Sequence, residues 1–154
     1  MRRLIIMRHA RAEAGSGKPD FDRMLDPRGW HEAGDVGAAL AEAGLLPDMV
    51  LCSAARRTRD TLAAIMPHLS RDCTIRILGE IYNAEPPALC NLLGRASGQT
   101  ILLIGHNPTV HSLALDLAGE NAGKVGNSFP TSTAAVFTIG AALDTADFKG
   151  LLTP

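Results

Sequence analysis

The sequence predicts an α/β fold: one domain over residues 1–154, a mostly parallel sheet with helices on both faces. Three observations carry that expectation. Short apolar runs at 4–7, 49–52 and 100–104 alternate with longer stretches whose apolar residues recur at helical spacing. Hydrophobic residues make up 46% of the chain but aromatics only 4%, so the core must be built from Leu, Ile, Val and Ala. Those residues suit strands buried on both faces. A chain of 154 residues also buries roughly 68–70% of its unfolded surface, enough for a core without a metal or disulfide.

Residues 4–7 form the first strand, and a polar, Gly-containing loop runs from 14 to 24. Asp26-Pro27 opens the first helix: Asp offers an N-cap acceptor, and proline lacks an N–H where none is needed. Trp30, Ala33, Gly37, Leu40 and Ala41 mark its expected buried face, and Gly44 ends it. Residues 49–52 are the second strand. Ser53 is expected to cap a second helix containing Leu62 and Ile65 and stopped by Pro67. The alternating segment 74–78 reads as a third strand near an edge. Pro86-Pro87 opens a third helix with Leu89, Leu92 and Leu93. The run 100–104 is the most hydrophobic strand and is expected to be central. Pro108 opens a fourth helix, with Val110, Leu113, Ala114 and Leu117 on one face. A loose segment, 119–130, precedes a last strand at 135–139.

Fifteen basic and sixteen acidic residues leave a net charge of −1, which gives no footprint for nucleic-acid binding. The basic residues Arg56, Arg57 and Arg59 are clustered locally, as a small anion site requires. Cys52, Cys73 and Cys90 lack metal-type spacing and read as structural thiols in a reducing compartment. The apolar start of the chain is stopped by Arg8 and His9, too early for a secretion signal. No run approaches the ~20 apolar residues of a membrane span, so a cytoplasmic location and no membrane partner are expected.

Two of the apolar runs end on a histidine: Arg8-His9-Ala10 follows the first, and Gly105-His106-Asn107-Pro108 follows the fourth. In an open α/β sheet the carboxyl ends of strands are where ligand crevices form. Facing imidazoles with an arginine beside them suggest phosphoryl transfer through a histidine, chemistry that rests on positioning and charge neutralisation. Arg57 lies one turn into the helix after the second strand, where its guanidinium fork can reach back over the sheet edge; Arg56 is the neighbouring alternative. A protonated His106 would add a third positive donor. Glu80 follows the third strand and is the carboxyl placed to serve a leaving group, with Glu13 and Glu85 behind it.

Rival chemistries fail on spacing. Gly15-Ser16-Gly17-Lys18 imitates a P-loop, but Ala12 and Pro19 stand where glycine and Ser or Thr are needed. No HxH, HExxH or CxxC accompanies His9 and His106, so no metal or other cofactor is expected. His31, His68 and His111 are expected to be plain surface residues.

These motifs together resemble the histidine phosphatase (phosphoglycerate mutase-like) superfamily. Arg8-His9-Ala10 is similar to its Arg-His-Gly signature. Ser53 with Arg57-Thr58-Arg59-Asp60-Thr61 resembles its Ser-x-x-x-Arg-Ala-x-Gln-Thr helix, and Gly105-His106-Asn107-Pro108 its second histidine motif. The short chain, Ala10 and the stretch Asp22-Arg23-Met24-Leu25-Asp26-Pro27-Arg28-Gly29 resemble the small SixA-type phosphohistidine phosphatases. Asp60 and Met24 depart from the pattern, replacing glutamine and proline. The resemblance implies a three-layer sandwich with His9 as the phosphate-accepting nucleophile. It further implies Arg8 and Arg57 as phosphate clamps, His106 as transition-state stabiliser, and Arg23 and Asn107 on the substrate side. The expected activity is hydrolysis through a phosphohistidine on His9, acting on a protein that bears phosphohistidine. A small phosphoester substrate, or a phosphate-binding module without turnover, are the alternatives.

Overall fold

The computed structural model describes residues 1–69 and 72–154. Among the described residues six strands form one sheet: β1 (Arg2–Arg8), β2 (Met49–Ser53), β3 (Thr74–Leu78), β4 (Thr100–Gly105), β5 (Ala134–Ile139) and β6 (Ala146–Leu152). Their order is β3-β2-β4-β1-β5-β6. The first four in that order run parallel, whereas β5 and β6 are antiparallel additions at one side. The helices are α1 (Pro27–Glu42), α2 (Arg56–Ile65), α3 (Pro86–Arg95), α4 (Thr109–Ala118) and the short α5 (Ala122–Val125).

Side chains along β1 alternate between two cores. Ile5 and Met7 pack with Val36 and Leu40 of α1 and Leu62 and Ile65 of α2. Leu4 and Ile6 pack with Leu89, Leu92 and Leu93 of α3 and Val110 and Leu113 of α4. All four β1 residues are fully buried, and each large aliphatic side chain withdrawn from water contributes about 1.5–3 kcal/mol. Such double burial is why β1, β2 and β4 read as unbroken apolar runs instead of alternating ones. Asp26 caps α1 as expected, its Oδ1 accepting from Gly29 N at 2.7 Å with Pro27 in the first turn. Among the described residues no helix is long and apolar enough to cross a membrane.

Three local expectations need correction. The buried face of α1 is Gly29, Ala33, Val36, Gly37 and Leu40, and Trp30 is 40% exposed. Ser53 does not cap α2, whose N-cap is Ala55 with no side-chain bond. It is instead the last, fully buried residue of β2. Finally, β6 follows β5 where no further strand is expected. Asp147, Lys149 and Gly150 dilute its pattern, as edge strands tolerate.

The topology positions the two histidine motifs. Arg8 of β1 is in register with Gly105 of β4, and His9 N–H donates to Gly105 O at 3.0 Å. His9 and His106 therefore leave the sheet side by side at the carboxyl ends of adjacent parallel strands. On the other side of β4, β2 delivers Ser53 and then α2.

Candidate active site

His9 is 6% exposed and its ring centroid stands 5.4 Å from that of His106, which is 9% exposed. Nδ1 of His9 lies 2.7 Å from Ala10 O. A carbonyl only accepts, so Nδ1 carries the proton and Nε2 keeps its lone pair as an acceptor. Arg57 Nε donates to that Nε2 at 3.3 Å. Arg57 is thus the arginine facing the site, its side chain 8% exposed, while Arg56 is 45% exposed and pairs with Asp60. Thr61 ties α2 to the loop after β1: its hydroxyl accepts from Ala10 N at 2.9 Å and donates to Arg57 O at 2.7 Å.

His106 is oriented by Ser53, whose Oγ lies 2.8 Å from Nε2. That hydroxyl also accepts from Ala55 N at 3.3 Å. Its own proton is satisfied if it donates to Nε2, which leaves the imidazole proton on Nδ1. His106 Nδ1 and Arg8 Nε are both buried donors with no partner among the described residues. Arg8 NH1 and Asn107 Nδ2 share one anchor, Phe129 O, at 3.2 and 2.8 Å. Tyr82 packs edge-on against His106 at 5.4 Å and lies under the Arg57 guanidinium at 5.9 Å.

Burial is the largest influence on both rings. It lowers His9 to about 3, helped by the charges of His106, Arg57 and Arg8 against the opposing Ala10 hydrogen bond. His106 is lowered to about 4 by burial and then Arg57, with Asp20 opposing. The expected protonated His106 is therefore corrected: at neutral pH this environment makes it a neutral N–H donor. Burial also pushes the Cys52 thiol up to about 12, in keeping with a structural role.

The other expected residues scatter. Arg23 reaches the site's edge, with Nε 3.0 Å from Asp20 Oδ1 and NH1 3.0 Å from Glu13 O. Glu13 braces that loop through Lys18 and Met24 N. Glu80 is exposed in the turn Gly79–Ile81, and no contact among the described residues joins it or Glu85 to the histidines. His111 is not a plain surface residue: it stacks on Phe129 and meets Gly126 O at 2.9 Å. Sequence reasoning missed Asp20, which takes NH1 of Arg57 on its carbonyl at 2.9 Å and NH2 on its carboxylate at 3.1 Å. It also missed Tyr82, whose hydroxyl donates to that same carboxylate. Neither residue stands in a local pattern that could reveal it.

Residues 4–82 match the histidine phosphatase superfamily (branch 1). An uncharacterised protein of Mycobacterium tuberculosis is 37% identical over 141 residues, 86% of this chain and 87% of that one. A solved structure from Agrobacterium tumefaciens, provisionally named phosphohistidine phosphatase SixA, superposes with a TM-score of 0.88 at 30% identity. It covers 99% of this chain and 98% of its own. A similarly named protein from Nakamurella multipartitia gives 0.89 at 27%, covering 99% and 96%. The chain belongs to the histidine phosphatase superfamily, and its fold is the phosphoglycerate mutase-like α/β fold.

Proposed function

We propose that this protein is a phosphatase working through a covalent phosphohistidine on His9, and that its substrate is a phosphohistidine borne by another protein. One observation carries the reading: His9 Nε2 is buried, unprotonated and aimed at Arg57, because Ala10 O holds the ring's proton on Nδ1. In the first step Nε2 attacks phosphorus, the substrate's P–N bond breaks, and its ring, protonated at the other nitrogen, takes the electron pair and leaves as neutral imidazole. Arg8, Arg57 and the Nδ1–H of His106 receive the equatorial oxygens. Preorganised donors of this kind are typically worth about 10²–10³ in rate each. Water then attacks the phosphoenzyme, the P–Nε2 bond breaks with its electron pair returning to His9, and both protons of the water leave on inorganic phosphate as the monoanion.

The substrate choice is supported by the absence, among the described residues, of a ready acid in the cluster. The two rings are neutral, and Asp20 is held at about 2, chiefly by the Tyr82 hydroxyl and then by Arg23 and Arg57. An alkoxide leaving group needs a proton from such an acid, whereas an imidazole protonated at its other nitrogen leaves as a neutral molecule without one. A phosphoprotein partner and three free cysteines fit a cytoplasmic setting. The test is transfer of ³²P from a phosphohistidine-bearing protein, quenched in alkaline detergent, where phosphohistidine survives. Label on the wild type and none on His9→Asn supports the mechanism. Faster turnover of small phosphomonoesters than of the phosphoprotein would overturn the substrate.

A further inference from the structure

Arg57 has every nitrogen of its guanidinium engaged. Nε donates to His9, NH1 to the carbonyl of Asp20 and NH2 to the carboxylate of Asp20. That carboxylate is gripped from two further sides, by the Tyr82 hydroxyl on the same oxygen and by Arg23 Nε on the other at 3.0 Å. A phosphoryl group arriving at His9 Nε2 brings oxygens that need the same fork. Two anions held against one guanidinium at this distance repel each other and compete for it.

We propose that Asp20 is an internal competitor for the phosphoryl group: its carboxylate holds Arg57 until substrate arrives, yields the fork, and returns to drive inorganic phosphate out. The proposal rests on Arg57 being the phosphate clamp. Unequal burial makes the exchange feasible, because the Asp20 side chain is 53% exposed and that of Arg57 only 8%. The carboxylate can swing toward solvent while the arginine stays fixed against His9. Asp20 lies in the turn Asp20–Asp22, which has no buried residue, so its movement uncovers no core. The low proton affinity of the carboxyl keeps it an anion throughout the neutral range. The device discriminates by charge: a ligand must offer Arg57 more than one carboxylate does. It thereby favours a phosphoryl dianion and sets the affinity for the product.

The experiment measures dissociation constants for inorganic phosphate and orthovanadate by calorimetry on the wild type, Asp20→Asn and Asp22→Asn. Asparagine keeps the shape and the Tyr82 contact but removes the charge. Asp20→Asn should bind both anions about ten-fold more tightly. Asp22→Asn, which removes an exposed charge two residues away, should stay within about two-fold of the wild type. Unchanged or weaker binding in Asp20→Asn, or equal tightening in Asp22→Asn, overturns the proposal. A second readout needs no variant. Saturating phosphate should speed amide exchange in residues 14–24 of the wild type, and protection there would contradict displacement. Binding of these anions requires no turnover. Tightening in Asp20→Asn therefore supports the competitor role even if no label forms on His9, a failure that would fall on the phosphatase reading alone.

Discussion

Two neutral imidazoles buried in one crevice make acid a specific stress on this fold. His9 and His106 are held at about 3 and about 4, principally by burial, whereas each titrates near 6.5 in an unfolded chain. Between those values the unfolded chain binds protons that the native chain refuses, so unfolding is favoured as pH falls. Stability therefore rises with pH from about 4 to about 6.5 and levels off above. At pH 5 the solution is about 1.5 units below the unfolded value, and one unit is worth about 1.36 kcal/mol. Each ring then costs about 2 kcal/mol relative to pH 8, and the pair about 4 kcal/mol. Against the 5–15 kcal/mol typical of a domain, that loss is large. Asp20 also loses stabilising contacts in acid, but a carboxyl lowered to about 2 releases them below its unfolded value near 3.8, which separates the two windows. Urea unfolding followed by circular dichroism at pH 8, 7, 6 and 5 measures the effect. The variant His9→Asn/His106→Asn should lack most of the drop, whatever its absolute stability. If wild type and double variant lose the same stability between pH 8 and pH 5, the rings are not the buried neutral groups described.

Two further outcomes follow from single contacts. Ser53→Ala strands the buried Nε2 of His106 and removes the hydroxyl that orients the ring. An orphaned buried polar atom costs about 1–3 kcal/mol, so kcat should fall roughly 10- to 100-fold with KM little changed, and the ¹⁵N shifts of His106 should report a mixed tautomer. Gly29→Ala should destabilise the fold by about 1–3 kcal/mol in the same urea assay, because a Cβ there would lie 2.1 Å from Arg11 O. A gain in stability, as helix propensity alone would give at roughly 1 kcal/mol, would refute that close approach.

The sheet-forming runs and both histidine motifs are legible in the chain alone. Strands buried on two faces must be continuously apolar, so Leu4-Ile5-Ile6-Met7 and Ile101-Leu102-Leu103-Ile104 stand out, and a histidine ending such a run is conspicuous. The cap of α1 was equally plain, since Asp26 and Pro27 act on their own helix. Contacts between residues distant in the chain become visible in the folded molecule. Ser53 has the look of a local cap, yet its hydroxyl serves His106, 53 residues away. Glu80 is next to a strand end but exposed, while Asp20, an unremarkable acid in a polar loop, meets Arg57 across 37 residues. The phase of α1 shifted from Trp30 to Val36 because the neighbouring sheet and α2, not periodicity alone, choose which stripe is buried. Local pattern records each residue's obligations to its own element; the proton positions and ion pairs of the site arise where separate elements converge.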